Sequence, residues 1–256
     1  MGAEPLPVLT WHAIDERQSV ISTPPAVFRR QVEALARRRL RGVSLAQAFA
    51  HRERTGAFPE RSVALTFDDG FRSVHREALP LLAAQGFSAT VFLVSGLLGL
   101  SADEARARIP GLEGELLSRE LLDWEQAAEL ARAGFEIGSH SVGHPDLTRL
   151  DPAALERELA DAKAQLQQRL QVPVESFAYP YGRLNAAVRS AAGRHYRRAC
   201  TTRLDRHRAG RDPLRIDRID MYYMQPAVRF SELLEGRLDR WLLTRRVLRA
   251  VKRLAG

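Results

Sequence analysis

Cysteine and lysine are nearly absent from this sequence. The single cysteine, Cys200, excludes an internal disulfide and a thiolate zinc site, and reads as a small buried residue. Lysine stands only at Lys163 and Lys252, so the basic side chains are almost all arginine, a bias that imitates a nucleic-acid binder. No run approaches about 18 uninterrupted apolar residues, so no membrane-spanning helix is expected. No GxGxxG or GxxxxGKS/T follows a strand-like run, which weighs against dinucleotide and P-loop folds. The opening residues, Met1-Gly2-Ala3-Glu4-Pro5-Leu6-Pro7, lack a basic n-region and an apolar h-region. Leu6 also stands where a myristoylation motif needs serine or threonine. The expected location is therefore the cytoplasm.

What is present is a chain of 256 residues, 45% hydrophobic and 27% charged, enough for one large core and unlike a disordered or membrane composition. The net charge of +8 is unevenly placed. From Arg237 to Arg253 seven basic residues face one acid, Asp239, so the body of the chain is near neutral.

Short apolar runs alternate with helical patterns. Residues 7–12 read as a first strand ending in a histidine. Ser22-Thr23-Pro24-Pro25 reads as a helix start, with Phe28, Val32 and Leu35 following at helical spacing. The stretch up to Arg61 reads as a basic loop, and residues 95–117 as a long loop or insertion. Further strands are expected before Asp68 and over 89–94, 135–138, 174–179, 198–202 and 214–219. Further helices are expected over 77–82, 118–133, 151–170 and 185–193. This alternation argues for a parallel sheet, and one barrel-like domain with its site at the C-terminal strand ends is the simplest reading.

Thr66-Phe67-Asp68-Asp69-Gly70 places two adjacent carboxylates after the apolar run Val63-Ala64-Leu65. Neighbouring side chains on a strand point to opposite faces. Both acids therefore serve one site only where the strand gives way to a loop, and Gly70 permits that turn. Gly138-Ser139-His140-Ser141-Val142-Gly143-His144-Pro145 places two histidines four apart in a strand-to-helix loop. Two imidazoles and a carboxylate make a three-ligand metal site with a coordination position left for water. Such donors suit zinc, with nickel, cobalt and iron also open. One acid on the metal and its neighbour as base is an economical use of the pair.

These two motifs resemble the first two signatures of the NodB-homology polysaccharide deacetylases, carbohydrate esterase family 4. Phe177-Ala178-Tyr179-Pro180-Tyr181-Gly182 resembles the third. The resemblance implies an α/β fold, a distorted (β/α)7 barrel, over a domain at 5–225 with a helical extension at 226–256. It also implies hydrolysis of N-acetyl groups on amino sugars. Carried over by position, Asp69, His140 and His144 become the metal ligands and Asp68 the general base. The Pro180-Tyr181 turn becomes the oxyanion and substrate-binding element, with the Tyr181 N–H as donor.

The sequence departs from that family in two places. The third motif commonly begins with an arginine that steadies the base, and Ala178 stands there; Arg218 is the candidate replacement. A late Leu-x-His motif, which usually carries the general acid, is missing. Leu9-Thr10-Trp11-His12 supplies it at the N-terminal end, similar to the circularly permuted poly-N-acetylglucosamine deacetylases, and makes His12 the expected acid. Trp11, Trp124 and Tyr181 are candidate sugar-stacking walls, with core packing the stronger reading for Trp124.

In the tail, Leu243, Val247, Ala250, Val251 and Leu254 share one helical face, and Arg245, Arg246, Arg249, Lys252 and Arg253 share the other. Such a helix either docks on the barrel or lies at the inner membrane face through residues 240–256, where a lipid-linked glycan becomes an attractive substrate. The expectation is a metal-dependent deacetylase of an N-acetylated glycan or glycolipid. Deacylation of another amide or an O-acetyl ester, and silent glycan binding, remain as alternatives. Nucleic-acid binding is not expected, because the charge sits in one tail without interleaved aromatics.

Overall fold

Seven short apolar runs become the parallel strands of a closed barrel in the computed structural model, which describes residues 5–109 and 114–254, with side chains as far as Leu248. They are β1 (Val8–Trp11), β2 (Ser62–Phe67), β3 (Thr90–Leu93), β4 (Glu136–Ser139), β5 (Ser176–Ala178), β6 (Arg198–Leu204) and β7 (Ile216–Asp220). Each pairs with the next, and β1 closes the ring between β2 and β7, with Thr10 beside both Thr66 and Asp220. A further short strand, Arg41–Val43, lies along the first half of β2.

The strands read with period two. Leu9, Leu65, Val91, Ile137, Phe177 and Ile219 face outward into a core shared with the helices. Val8, Ala64, Phe92, Ala178, Cys200 and Ile216 fill the barrel interior. Phe92 is the bulkiest of these, and its ring has room only because Gly138 opposite has no side chain: a Cβ there would lie 2.4 Å from the ring.

The N-terminal end of the barrel is plugged by the helix Leu45–Thr55, whose Phe49 joins the interior cluster. Glu136 anchors the plug, accepting from the Thr90 hydroxyl at 2.7 Å and from the Ala46 N–H at 2.7 Å, in the first turn of that helix. A carboxylate suits a helix N-terminus, where N–H groups lack intrahelical partners and the helix dipole is positive.

Several boundaries differ from the sequence expectation. The supposed basic loop before Arg61 contains both Arg41–Val43 and the plug helix, which starts at a Ser44/Gln47 capping box. The insertion contains a helix, Ala102–Arg108, started by a Ser101/Glu104 box. The helix expected over 118–133 spans only Trp124–Arg132, because the Asp123/Gln126 box starts it late. Ser22–Thr23 pairs with Ala13–Ile14 as a small strand, and the helix Pro25–Arg37 begins after it.

One crossover is irregular. Between β6 and β7 the chain makes only the 3₁₀ turn Pro213–Arg215 in place of a crossover α-helix, and the helix Asp239–Leu254 packs against β6 instead. The register also slips there: β6 advances from Cys200 to Leu204 while β7 advances from Ile216 to Arg218, a bulge that bends β6 away. The helices Ala227–Leu234 and Asp239–Leu254 follow, and Phe230, Leu233, Leu238 and Leu242 join the outer core. The docked face therefore differs from the apolar face read from the sequence, since Leu243 and Val247 are 51% and 53% exposed. The side chains of Arg249, Ala250, Val251, Lys252, Arg253 and Leu254 lie outside the described residues. No described helix is long and apolar enough to cross a membrane.

Gly138→Ala should overpack the interior and lower stability by about 1–3 kcal/mol. Adding Phe92→Leu should recover part of that loss in urea melts; equal melting of Gly138→Ala and wild type would show that the ring does not need the space.

Candidate active site

Two-residue steps along the strands carry the barrel from an apolar interior to a charged rim. Val8 leads to Thr10 and His12, Ala64 to Thr66 and Asp68, Gly138 to His140, and Ile216 to Arg218. At the centre Arg218, 2% exposed, holds Asp68 with two parallel hydrogen bonds, Nη1 to Oδ1 at 2.7 Å and Nη2 to Oδ2 at 2.6 Å. Its Nη1 also meets the Thr10 hydroxyl at 3.0 Å, its Nε donates to the Thr201 carbonyl at 3.0 Å, and its carbon lies 5.8 Å from the centre of the Phe92 ring. Burial pushes the Asp68 carboxyl up, but the Arg218 charge and hydrogen bonds outweigh it and leave the group below the ordinary carboxylate range. His12 Nε2 lies 3.8 Å from Asp68 Oδ2. Ala178 lies with Phe92 and Cys200 in the interior cluster. Burial pushes the Cys200 thiol up to about 12, so it stays protonated.

Asp69 turns away from its neighbour because both it and Gly70 have φ of +72°. Its Oδ1 lies 3.4 Å from His140 Nε2 and 3.6 Å from His144 Nε2, and the three ligand atoms all fall within 4.8 Å of one another. His140 Nδ1 donates to the Ala178 carbonyl at 2.7 Å, an assignment that fixes the tautomer and leaves Nε2 facing Asp69. The His144 loop is tied by its own N–H to Ser141 Oγ at 2.9 Å. Glu158 accepts from the Val142 and Gly143 N–H groups, both at 2.9 Å. Among the described residues seven non-glycine positions have positive φ, and four of them, Asp69, Ser141, His144 and Tyr181, cluster here. Backbone strain is concentrated where donors must converge.

The electrostatics fit a bound cation. Burial, then the charge of His140, brings His144 down to about 4, so it is a neutral imidazole at ordinary pH. Burial pushes His140 down too, but its hydrogen bond to Asp69 and the two carboxylate charges outweigh that and raise it. Burial raises Asp69, and the His140 hydrogen bond and the histidine charges more than reverse it, leaving the carboxyl well below its usual range. The two carboxylates thus favour positive charge at this cluster of two imidazoles and an aspartate. A divalent cation can supply that charge, and the donor set fits one.

Pro180 is buried and Tyr181, with φ of +59°, is 53% exposed. The Tyr181 ring stands edge-on to His144 with centroids 4.6 Å apart. The Gly182 N–H closes this turn on the Tyr179 carbonyl at 2.8 Å. A side chain at Gly182 would meet Thr202 Oγ1 at 2.1 Å, so only glycine fits.

Trp11 is not a sugar wall. It is buried against Phe67, with ring centroids 5.5 Å apart, and its indole N–H donates to Gln31 Oε1 at 3.1 Å. Trp124 packs on the outer core, with Arg169 4.5 Å from its ring centre. Sequence reasoning missed a strap at residues 119–122. Its backbone holds the Asp69 turn, through Leu122 N–H to the Gly70 carbonyl at 2.8 Å and Arg72 N–H to the Glu120 carbonyl at 2.9 Å. Its Arg119 side chain holds the loop that follows His12, through Asp15 and Ser22, each at 2.7 Å.

Fold and rim together define an α/β barrel with a buried Asp-His-His donor set beside an aspartate–arginine pair. The polysaccharide deacetylase family profile matches residues 55–199, more than half of the chain, and the chain belongs to that family. The chain is 26% identical over 187 residues to YxkH of Bacillus subtilis, covering 73% of this chain and 60% of YxkH. It is 26% identical over 209 residues to the poly-beta-1,6-N-acetyl-D-glucosamine N-deacetylase of Escherichia coli K12, covering 69% of this chain and 30% of that protein. The chain thus spans less than two thirds of either curated relative. Its fold is similar to that of the deacetylase PplD of Streptococcus pyogenes, with a TM-score of 0.76 at 24% identity over 91% of this chain and 98% of that one. IcaB from Ammonifex degensii gives 0.71 at 22% identity over 91% and 97%.

Arg218→Met leaves a buried carboxylate unpaired and should cost about 3–5 kcal/mol of stability, of which a second substitution, Asp68→Asn, should restore a part. In the wild-type protein Asp68 titrates below its unfolded value of about 3.9, so its contribution is complete above that pH and is lost as pH falls further. The metal-free Asp68→Asn protein should therefore show a shallower loss of stability below about pH 4 than wild type; parallel curves would refute the pair's contribution.

Proposed function

We propose that this chain is a divalent-metal-dependent deacetylase that removes N-acetyl groups from amino sugars of a polymeric or lipid-linked glycan. The observation that carries the reading is the position of Asp68: held ionised by Arg218, next in sequence to the Asp69-His140-His144 donors, and 3.8 Å from His12. Membership of the polysaccharide deacetylase family and the deacetylase relatives support it.

Asp69, His140 and His144 would hold the metal, with zinc the first candidate and nickel, cobalt and iron the others. When bound there, such an ion supplies Lewis acidity and lowers the pKa of water. Asp68 accepts the proton of the attacking water, and Arg218 keeps the carboxylate charged and oriented until it does. The Tyr181 N–H, displayed by the strained turn after Pro180, donates to the acyl oxygen as it gains negative charge. His12 gives a proton to the departing nitrogen. Water and amide are consumed, and acetate and a free amine leave.

The test is acetate release from N-acetylated and O-acetylated oligosaccharides. Wild type should act on the former, lose activity on chelation and regain it with added divalent metal. Asp68→Asn should lower turnover by about 10²–10⁴-fold while metal stoichiometry stays at the wild-type value. Retained turnover in that variant would remove Asp68 as base, and faster release from esters would move the reading to an O-deacetylase.

A further inference from the structure

The flank between β6 and β7 has no crossover helix, and the helix Asp239–Leu254 borders it instead. This flank carries a cavity of about 610 Å³ whose lining includes Gly182, Arg203, Arg211, Arg215, Asp217 and Arg246. A second cavity of about 260 Å³ shares Arg211 and Arg246 and adds Arg206, Arg208 and Leu243. The larger one lies where the crossover helix is missing and the register between β6 and β7 slips.

The arginines are held in order. Asp217, 1% exposed, accepts from Arg211 Nη1 at 2.8 Å and from Arg203 Nη1 at 3.3 Å, and Asp205 pairs with Arg246. A guanidinium has five N–H donors, so these carboxylates fix the forks and leave further donors for a ligand. Across the two cavities six arginines face four aspartates, Asp205, Asp212, Asp217 and Asp239, so the net field favours an anion. Fixed guanidinium forks match phosphate oxygens well.

The rim is apolar. Leu243 lines the smaller cavity, and Leu243, Val247 and Leu248 are 51%, 53% and 55% exposed along one side of the helix Asp239–Leu254. A soluble anion would use the arginines and leave these side chains in water, whereas an anionic amphiphile uses both. We infer that this flank seats the phosphate-bearing head group of a membrane lipid, with the exposed side of the last helix against the acyl chains. Gly182 on the cavity wall follows Tyr181 directly, so a glycan carried on such a lipid would reach the active site from here. The lipid site goes beyond the deacetylase reading and does not depend on it.

The experiment is co-sedimentation of the full chain with vesicles of phosphatidylcholine, alone or mixed with phosphatidylglycerol, beside calorimetry with inorganic phosphate. Wild type should bind the mixed vesicles in preference. Arg208→Gln and Arg215→Gln, both exposed, should each weaken binding about fivefold, and Leu243→Ser should weaken it as well. Acetate release from a soluble oligosaccharide should be unchanged in all three, which separates this site from the catalytic one. An Arg106→Gln control on the insertion helix should bind as wild type; an equal loss there would reduce the effect to general charge and overturn the cavity assignment. Equal binding to both vesicle types would overturn the head-group recognition. Phosphate binding without vesicle binding would identify a free-anion site and overturn the lipid.

Discussion

The site depends on one buried ion pair. Arg218 and Asp68 are both almost fully out of water, and taking two charges into a barrel interior costs about several kcal/mol per ion before their attraction repays it. The repayment here comes from geometry: two short parallel hydrogen bonds, with Thr10, Thr201 and the Phe92 ring around the guanidinium. Much of the barrel interior serves that arrangement. Gly138 makes room for Phe92, and the small side chains of Ala178 and Cys200 lie in the same cluster as the ring. A pair of apolar residues could fill this volume with no such demands, so the pair is better understood as orienting a carboxylate than as stabilising the fold.

The same constraint divides two adjacent aspartates into different chemical groups. Asp68 lies on the inner wall and faces a permanent cation. Asp69, turned by its positive φ, faces imidazoles whose protonation can change. Neither difference comes from residue type, since both are aspartate. It comes from a backbone turn at Asp69 and Gly70, and the strap at 119–122 holds that turn in place. The strap also reaches past His12 through Arg119, so the Asp69 turn and the loop after His12 are referred to one common support.

Much of this was legible in the sequence, because strand periodicity is short-range and so are the motifs. The alternation of strands and helices pointed to a barrel with His12, Asp68, Asp69 and His140 at strand ends, and the family resemblance supplied the grouping of Asp69, His140 and His144 and of His12 with Asp68. Trp11 follows the same rule: the parity that aims Thr10 and His12 inward sends Leu9 and Trp11 outward, so Trp11 is core rather than a sugar wall. The plug helix was also readable, since Ser44 and Gln47 form a capping box, but the arginines of that stretch masked its apolar face. Arg119 could not be found this way. Its partners Asp15 and Ser22 lie about a hundred positions away in the chain, and nothing local marks it.

The unusual order of the motifs becomes simple once the ring is closed. Arg218, Thr10 with His12, and Asp68 come from β7, β1 and β2, three neighbouring strands, although they span nearly the whole sequence. Ala178, where the family motif commonly has its arginine, stands on β5, three strands from β2 around the ring. From β7 Arg218 reaches over β1 alone and meets Thr10 on the way. The histidine at the start of the chain and the arginine near the end of the barrel are thus two parts of one geometric solution, with the first strand between Asp68 and the guanidinium that holds it. Beside Arg218 the pairing of β7 with β6 slips in register. The relocated arginine and the arginine-lined flank therefore share a single pair of strands.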